Sequence, residues 1–383
     1  MSIIQQTNYL NVAKELAKTF ALRADQIDAE GHFPYENFED LKENGFLSLT
    51  IPKEFGGQGL NLYQFLQIQE VLAKGDAPTA LSLGWQLGLL LEQAENQTWS
   101  KESFKRVSEL VIKDKALINL LQTERATGSP SRGGIPTTLA VEAEDNWRIN
   151  GSKSFASMAV ALDYSIVTVD VNRAGRKGYI LIDHRLPGVR IEQTWDSVSM
   201  KATRSDDLIL DNVLVPKNDL LFVEDTNNTL PKGWYLQIPA VYLGIATAAR
   251  DYAMEFAANF QPITLSTPII EVPEVQRKIG EMELELFKCR EILYSIARKW
   301  VAEPENRGDM NASLQSVKHI VTNSANTVVD LAMRIVGARS LSASCPLQRH
   351  FRDVRAGLHN PPTDDAIVYN VAKNAIKQMS ILN

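Results

Sequence analysis

The sequence predicts an α+β protein, mainly α-helical, in which a β domain lies between two helical domains. Apolar residues recur at the three- and four-residue spacing of helices before residue 119 and again after residue 228. Residues 119–228 instead hold short, often β-branched runs separated by Gly, Asn, Asp and Pro. The 383 residues also exceed the usual size of one hydrophobic core. We therefore predict a helical domain at 1–118, a β domain at 119–228 and a four-helix-bundle-like domain at 229–383.

Four segments of the N-terminal domain have the apolar pattern of helices: residues 10–21, 35–44, 62–73 and 79–91. Between the second and the third, residues 51–59 contain three glycines, which a regular element accommodates only at a cost. We predict that this segment is a turn.

Seven short runs are predicted strands of a sandwich or barrel-like domain: residues 116–122, 139–142, 147–149, 164–171, 178–182, 189–192 and 208–215. The helical pattern returns near residue 231 and continues almost to the end of the chain. Five predicted helices there suit an antiparallel bundle: residues 235–260, 274–301, 311–336, 346–356 and 363–379.

Composition excludes several classes of function. The net charge of −6 at pH 7 is not that of a nucleic-acid-binding protein, and an anionic membrane would repel the chain. The sequence contains neither a secretory signal nor a membrane-spanning apolar run. The two cysteines, Cys289 and Cys345, fall in separate elements, and the five histidines lack metal-ligand spacing. We expect a cytoplasmic protein with no metal site, no disulfide framework and no nucleic-acid or membrane partner.

Six motifs follow one another along the chain. They are PKEFGGQG at 52–59, QTERATGS at 122–129, WRINGSKSFAS at 147–157, MKATRS at 200–205, LGIA at 243–246 and RHFRD at 349–353. In this order they resemble the motifs of acyl-CoA dehydrogenases. The resemblance implies the acyl-CoA dehydrogenase fold, in agreement with the predicted helical–β–helical order. It also implies a flavin cofactor, FAD or FMN.

The same resemblance implies which residues contact the flavin. Those that would contact the ring and its ribityl chain are Gln122, Thr123, Gly128 and Ser129. Phe155 would lie against the ring and Ser157 near ring atom N5. The protein would then orient the flavin, which carries the redox chemistry. Thr123 and Ser157 also have a simpler interpretation, as hydroxyls that satisfy main-chain groups.

The residues that remove a proton in acyl-CoA dehydrogenases are missing. Desaturation needs a carboxylate base within hydrogen-bonding reach of the substrate α-carbon. By resemblance, the usual base position is Pro361, which cannot accept a proton, and the second position falls near Trp234 and Tyr235. The arginine that binds substrate is also absent, and residues 259–262 replace the segment that holds the FAD pyrophosphate.

The C-terminal region is more similar to another group with this fold. The segments VGARS at 336–340 and RDVRAGLHNP at 352–361 resemble two-component flavin monooxygenases of the dibenzothiophene monooxygenase and sulfur-acquisition type. These enzymes bind reduced flavin from a separate reductase and form a C4a-hydroperoxyflavin. The resemblance implies that His359 and Ser157 flank this group as catalytic residues, and histidine titrates readily near neutral pH. Alternatively, His359 caps the end of its helix.

Further site residues follow from these resemblances. Arg339, with Gly337 beside it and Thr363 further on, would contact the flavin, since a guanidinium suits phosphate oxygens; a surface arginine is the alternative for Arg339. The residues assigned to the substrate pocket are Trp85, Gln86 and Trp234, although large aromatic residues in helices are more often core. In these monooxygenases a histidine stands at or near Gln86, and Asn360 replaces an aspartate. Arg352 and Asp353 are predicted to form a structural ion pair.

Three functions remain open. The first, which we favour, is a monooxygenase that acts on a small organic, possibly sulfur-containing, compound. The second is an acyl-CoA dehydrogenase or oxidase with a relocated base, and the third is a catalytically silent flavin-binding protein. The expected partners are a small-molecule substrate and a separate flavin reductase or electron-transfer protein. We expect a homotetramer or a homodimer, because small residues along the helix after the β domain suit close packing.

Overall fold

Helices make up the chain before residue 114 and after residue 236, and an eight-stranded sheet lies between them. The computed structural model describes residues 3–127, 134–224 and 231–381. The first helices are α1 (Ile3–Glu30), α2 (Tyr35–Glu43), α3 (Leu62–Gly75), α4 (Ala77–Asn96) and α5 (Lys101–Lys113). This order of helices, sheet and helices confirms the predicted α+β, mainly α, fold class.

The boundaries of α3 and α4 follow from their capping residues. Asn61 and Gln64 form a capping box at the start of α3. The Asp76 carboxylate accepts a hydrogen bond from the Thr79 amide and starts α4 directly after α3 ends. Helix α4 is buried on nearly every side, which explains why its sequence is apolar almost throughout.

The sheet contains β1 (Ile118–Leu121), β2 (Leu139–Ala143), β3 (Asn146–Lys153), β4 (Tyr164–Val171), β5 (Lys177–Asp183), β6 (Val189–Glu192), β7 (Asp207–Pro216) and β8 (Leu220–Val223). The strand order is β6-β7-β3-β2-β4-β5-β8, with β1 paired parallel to β4. Strand β4 is central and has five consecutive buried residues, as expected for a strand covered on both faces.

The C-terminal helices are α6 (Gln237–Asn259), α7 (Pro273–Ala302), α8 (Asn311–Val336), α9 (Pro346–His359) and α10 (Asp364–Ile381). Helix α6 is the centre of the bundle and packs against α8, α3, α7, α9 and α4. Gly244 allows the close contact with α3, because a Cβ at this position would lie 2.6 Å from Ala73 Cβ. None of the helices described at 3–127, 134–224 and 231–381 is long and apolar enough to span a membrane.

Helix α9 joins the three parts of the chain. Arg349 Nε pairs with Asp25 Oδ1 of α1 at 3.1 Å, and Arg352 Nη1 with Asp28 Oδ1 at 3.1 Å. Asp353 instead accepts a hydrogen bond from the Met200 amide of the β domain at 2.6 Å. The predicted ion pair between Arg352 and Asp353 is therefore wrong. Adjacent helical residues point in different directions, so these two side chains bind different elements.

Candidate active site

At one edge of the β domain, beyond the ends of its strands, three segments that are distant in sequence meet: the residues after β1, the residues after β3 and the turn before β7. The Ser154 amide donates to Thr123 O at 2.9 Å, which places the end of β3 beside the segment after β1. The Met158 amide donates to Thr203 O at 2.8 Å, and the Ala156 amide to the Asp206 carbonyl at 3.2 Å. Main-chain hydrogen bonds thus fix the residues around Ser157 relative to Thr123 and to the turn before β7.

Ser157 lies half-buried at this edge. Its Oγ is 2.9 Å from Ser205 Oγ, which is 2.9 Å from Thr203 Oγ1. Its carbonyl accepts from Asn119 Nδ2 at 3.0 Å. The Ser157 hydroxyl therefore belongs to a hydrogen-bonded chain of side chains; it does not cap a main-chain group.

Phe155 presents an apolar ring beside Ser157. Its side chain is 66% exposed, and its backbone has a φ of 55°, in the left-handed region that a bulky residue rarely adopts. The ring lies edge-to-face with Trp195, with centroids 5.8 Å apart. The Trp195 Nε1–H is buried and has no hydrogen-bond partner among the described residues. An exposed flat ring beside an unpaired donor fits a planar, polar-edged group such as a flavin ring.

Trp195 is a candidate site residue that the sequence analysis did not identify. It lies in the loop between β6 and β7, and its amide donates to Asp206 Oδ1 at 2.9 Å. An isolated tryptophan in a loop contributes to no helical or strand pattern. The detectable signal was a tryptophan in a connecting loop, because loops lie on the surface and often carry binding residues.

Trp85 and Trp234, both predicted to line the substrate pocket, are in contact. Their rings lie edge-to-face with centroids 5.8 Å apart. Trp234 is buried, and its Nε1–H donates to Glu92 Oε2 at 2.7 Å. Gly88 makes room for the Trp234 ring, since a Cβ there would lie 2.3 Å from a ring carbon. Trp85 is partly exposed, and its buried Nε1–H has no partner within the described part of the chain.

Gln86 has a different environment from its neighbour Trp85. The side chain is fully buried. Its Oε1 accepts from the Ile118 amide at 2.8 Å, and its Nε2 donates to Leu47 O at 3.3 Å. These hydrogen bonds account for a structural role that ties α4 to β1, and nothing in this geometry directs the amide toward a pocket.

The carboxylates around this edge are paired. Asp206 accepts from Arg204 Nε at 2.9 Å as well as from the Trp195 amide. Glu92 accepts from Trp234 and from Lys232. Asp353 holds the Met200 amide; burial raises the pKa of Asp353 to about 6, against the opposing effects of Arg349 and that amide. None of these three carboxylates is free to remove a proton from a ligand.

A buried ion pair supports the β-domain side of the site. Lys153 Nζ lies 2.5 Å from Glu124 Oε1, and neither side chain is exposed to more than 2%. Burial opposes ionisation of Glu124, but hydrogen bonds from Lys153, Thr137 and Thr138 outweigh it and lower the pKa of Glu124 to about 2. Burial lowers the pKa of Lys153 to about 8. The pair fixes the end of β3 beside the segment that carries Thr123.

His359 lies at the exposed end of α9 and is the last residue of that helix. Its side chain has no hydrogen bond or ion pair to any residue that the structure describes, and Thr363, just before α10, is likewise exposed. The following residue, Asn360, accepts from the buried Tyr242 hydroxyl at 2.5 Å. This contact anchors the turn after α9, which carries Pro361 at the position where the family usually has its base.

Gly337 and Arg339 lie in the turn between α8 and α9. Both are exposed at the end of α8, and the Arg339 guanidinium is 4.1 Å from the Phe260 ring centroid. This turn contacts α9, whose 14 residues span about 21 Å. His359 is the last residue of that helix, and Thr363 lies beyond it in the chain. Gly128 and Ser129 fall outside the described residues. Within the described ranges, no cluster of three His, Cys, Asp or Glu side chains could hold a metal ion.

Comparison with known proteins places these features in a family. The family models for the acyl-CoA dehydrogenase N-terminal, middle and C-terminal domains match residues 5–98, 119–213 and 236–360. YdbM of Bacillus subtilis (strain 168), which carries an acyl-CoA dehydrogenase name, is 45% identical over 374 residues, 97% of this chain and 98% of YdbM. SfnC of Pseudomonas putida, which carries an FMNH2-dependent monooxygenase name, is 26% identical over 93% of this chain and 91% of SfnC.

A solved structure agrees with this assignment of the fold. TdsC from Paenibacillus sp. A11-2, in complex with FMN and indole, has a TM-score of 0.88 at 24% identity, over 97% of each chain. The names of YdbM and SfnC refer to different reactions, so similarity alone does not select the chemistry. The identity to YdbM and the three domain matches nevertheless establish the family. This chain belongs to the acyl-CoA dehydrogenase family and is a flavin-dependent oxidoreductase.

Proposed function

We propose that this protein is a monooxygenase that uses reduced flavin to oxygenate a small organic compound, of aromatic or sulfur-containing type. One observation carries the proposal: the residues at both family positions for a catalytic base, Pro361 and the Trp234–Tyr235 pair, have no carboxylate. The nearby carboxylates of Glu92, Asp206 and Asp353 are all occupied by donors. Desaturation of a thioester needs a free base, whereas oxygen transfer does not.

The side chains beyond the ends of β1 and β3 support flavin binding. The exposed Phe155 ring provides a flat apolar surface, and Trp195, which packs edge-to-face against it, has one unpaired N–H donor among the described residues. Main-chain hydrogen bonds hold Thr123 close to the segment that carries Ser157. When bound, a reduced flavin supplies the electrons that activate dioxygen. The protein would orient the ring and exclude water. In this proposal Ser157 and His359 hold protons and hydrogen bonds at the reacting atoms.

The proposed substrate pocket favours a compact molecule. Trp85 and Trp234 fill space with two large rings, and the buried Trp85 Nε1–H has no partner among the described residues. A buried donor without an acceptor is costly, so a ligand that supplies an acceptor atom would stabilise this position. We therefore propose an aromatic or sulfur-containing substrate that carries one hydrogen-bond acceptor.

The proposal includes partners and an assembly. The proposed reaction consumes reduced flavin, and the proposal places one flavin site in this chain. A separate reductase or electron-transfer protein would therefore supply the reduced flavin. Large apolar side chains stay exposed on two helices, Leu284 and Phe287 on α7 and Val368 and Tyr369 on α10. Packing against further copies would cover them, so we propose a homotetramer or homodimer in the cytoplasm. Light scattering on the purified protein tests the assembly.

Oxygenation of a small molecule is the decisive experiment. The protein is supplied with reduced FMN or FAD, heavy-isotope dioxygen and a panel of aromatic and sulfur-containing compounds that carry an acceptor atom, such as dibenzothiophene and its sulfoxide. We expect the heavy isotope in one product, detected by mass spectrometry. Flavin with dioxygen but without protein is the control. If no product carries the label, and acyl-CoA thioesters bleach the bound oxidised flavin without oxygen, the monooxygenase proposal is wrong.

The second candidate is an acyl-CoA dehydrogenase or oxidase. Its support is the 45% identity to YdbM, which carries a dehydrogenase name. This function would require a base other than the three occupied carboxylates at the site. The same experiment distinguishes the candidates, because only a dehydrogenase or oxidase would convert an acyl-CoA to its α,β-unsaturated product.

A further inference from the structure

Two hydroxyl groups, those of Ser205 and Thr203, connect the Ser157 hydroxyl to the main chain of a neighbouring turn. Ser157 Oγ is 2.9 Å from Ser205 Oγ, and Ser205 Oγ is 2.9 Å from Thr203 Oγ1. Thr203 Oγ1 then donates to Met200 O at 2.9 Å. Ser205 and Thr203 are almost fully buried, and Ser157, at the site, is the most exposed member of the chain.

Counting protons fixes the direction of every hydrogen bond in this chain. Each hydroxyl has one proton to donate, and a carbonyl oxygen can only accept. Because Thr203 donates to Met200 O, it must accept from Ser205. Ser205 has then used its proton and must accept from Ser157. The Ser157 proton therefore points into the protein, and the Ser157 oxygen offers only lone pairs to a ligand.

The turn that carries this carbonyl is bound to Asp353 of α9 by two hydrogen bonds. The Met200 amide donates to Asp353 Oδ1 at 2.6 Å, and Ser199 Oγ donates to the Asp353 main-chain carbonyl at 3.2 Å. Met200 and Arg204 have left-handed φ values of 52° and 42°, which non-glycine residues adopt only when their surroundings enforce them. Contacts with α9 thus hold the turn that orients Thr203, and through it Ser205 and Ser157.

We infer that Ser205 and Thr203 are positioning residues, which fix Ser157 as a hydrogen-bond acceptor toward the flavin N5. This inference depends on the proposed flavin position beside Ser157. N5 of an oxidised flavin is an acceptor without a proton, so two acceptors would face each other. N5 of a reduced flavin carries a proton and can donate to Ser157. The orientation of these hydroxyls therefore favours the reduced form of the cofactor.

The test compares the affinities of the protein for the two flavin forms. Dissociation constants for oxidised and reduced FMN and FAD are measured anaerobically by fluorescence titration. Wild type should bind the reduced form more tightly. In Ser205→Ala, the Ser157 hydroxyl loses its acceptor and can donate its proton to N5 of the oxidised flavin. In Thr203→Val, Ser205 loses its acceptor and can donate to Ser157, which again leaves the Ser157 proton available for N5. In each variant the preference for reduced flavin should fall by about tenfold, which shifts the midpoint potential of the bound flavin by about 30 mV.

Ser165→Ala is the matched control. Ser165 is also a buried serine of the β domain, and its Oγ bonds His184 Nε2 at 2.7 Å, outside the chain from Ser157 to Met200. This variant should keep the wild-type preference. If Ser205→Ala weakens both flavin forms equally, the hydroxyls have only a structural role and the inference is wrong. Equal binding of the two forms by wild type would overturn it as well.

The outcome is separable from that of the proposed function. If the preference and its loss in Ser205→Ala are observed while the protein desaturates acyl-CoA, the inference stands and the monooxygenase proposal fails. If labelled oxygen enters a product but Ser205→Ala leaves the ratio unchanged, the proposal stands and the inference fails. If neither flavin form binds at any concentration tested, both are wrong.

Discussion

The two sides of the candidate site differ in how completely one chain builds them. On the β-domain side, main-chain hydrogen bonds, a buried ion pair and a run of hydroxyls hold Thr123, Phe155 and Ser157. On the helical side, His359 and Arg339 are exposed at helix ends. This contrast teaches that the β-domain side is preformed, whereas the helical side has surfaces that a flavin or a second copy would cover.

The largest effect should come from breaking the buried pair of the β-domain side. Lys153→Met leaves the Glu124 carboxylate buried without its partner, which costs about 3–5 kcal/mol of unfolding free energy. Urea denaturation at neutral pH measures the loss. Lys18→Met is the control, because its pair with Glu15 is exposed and contributes less than about 1 kcal/mol. If the two variants lose similar amounts of unfolding free energy, the buried pair of Lys153 stabilises the protein no more than the exposed pair of Lys18 does.

Asp353 of α9 accepts a hydrogen bond from the Met200 amide of the β domain, and its titration should make the stability of the protein depend on pH. The pKa of Asp353 is about 6 in the folded protein, against an ordinary 3.8. The folded state therefore binds the proton more tightly than the unfolded state, and stability falls as the pH rises from about 4 to about 6. Asp353→Asn keeps an acceptor for the Met200 amide but does not titrate.

The stability of wild type relative to Asp353→Asn should therefore fall by about 2.4 kcal/mol between pH 4 and pH 7. Urea denaturation of both proteins across this range measures the difference. Arg349, Arg352 and Asp28 act on the carboxyl at position 353, and they are present in both proteins. A difference that is constant with pH would show that Asp353 titrates near its ordinary value.

The fold was predictable because local patterns and packing agree. Strand β4, strand β6 and helix α8 occupy the residues that the apolar spacing predicts. Helix α5 and strand β8 were not among the predicted elements. Helix α5 has a detectable signal, with Ser100 as its N-cap and Phe104, Val107 and Val111 on its buried face. Strand β8 has only four residues, too few to show an alternating pattern.

The proximity of candidate site residues was predictable only where a motif contains them. Phe155 and Ser157 came from one motif, and the structure places them on the same edge as Thr123. The hydroxyl chain to Ser205 could not be predicted, because it depends on a turn between distant segments. Nor can a sequence distinguish a glutamine in a pocket from one that, like Gln86, satisfies main-chain groups in the core. Such roles depend on three-dimensional partners.

His359 tests whether the helical side contributes to the chemistry. Because the side chain is exposed, His359→Ala should change the unfolding free energy by less than about 0.5 kcal/mol. Loss of a positioned imidazole should still reduce product formation by about 100-fold, with free hydrogen peroxide in its place. Product per oxygen consumed and peroxide released are the measurements. Unchanged coupling would return His359 to the interpretation as a helix-capping residue.

The smallest effect is expected at Arg339, which lies in the turn between α8 and α9. Its guanidinium stacks on the Phe260 ring, an exposed contact that contributes about 0.5–1 kcal/mol. If it also binds a flavin phosphate, Arg339→Gln should weaken flavin binding by about tenfold, since it removes a charge-assisted hydrogen bond. Arg339→Lys keeps the charge but loses the bidentate geometry and should give an intermediate affinity. Calorimetric titration with FMN and FAD measures both variants. An unchanged affinity in Arg339→Gln would make Arg339 a surface arginine that only stacks on Phe260, and the flavin would then be held by the β-domain side alone.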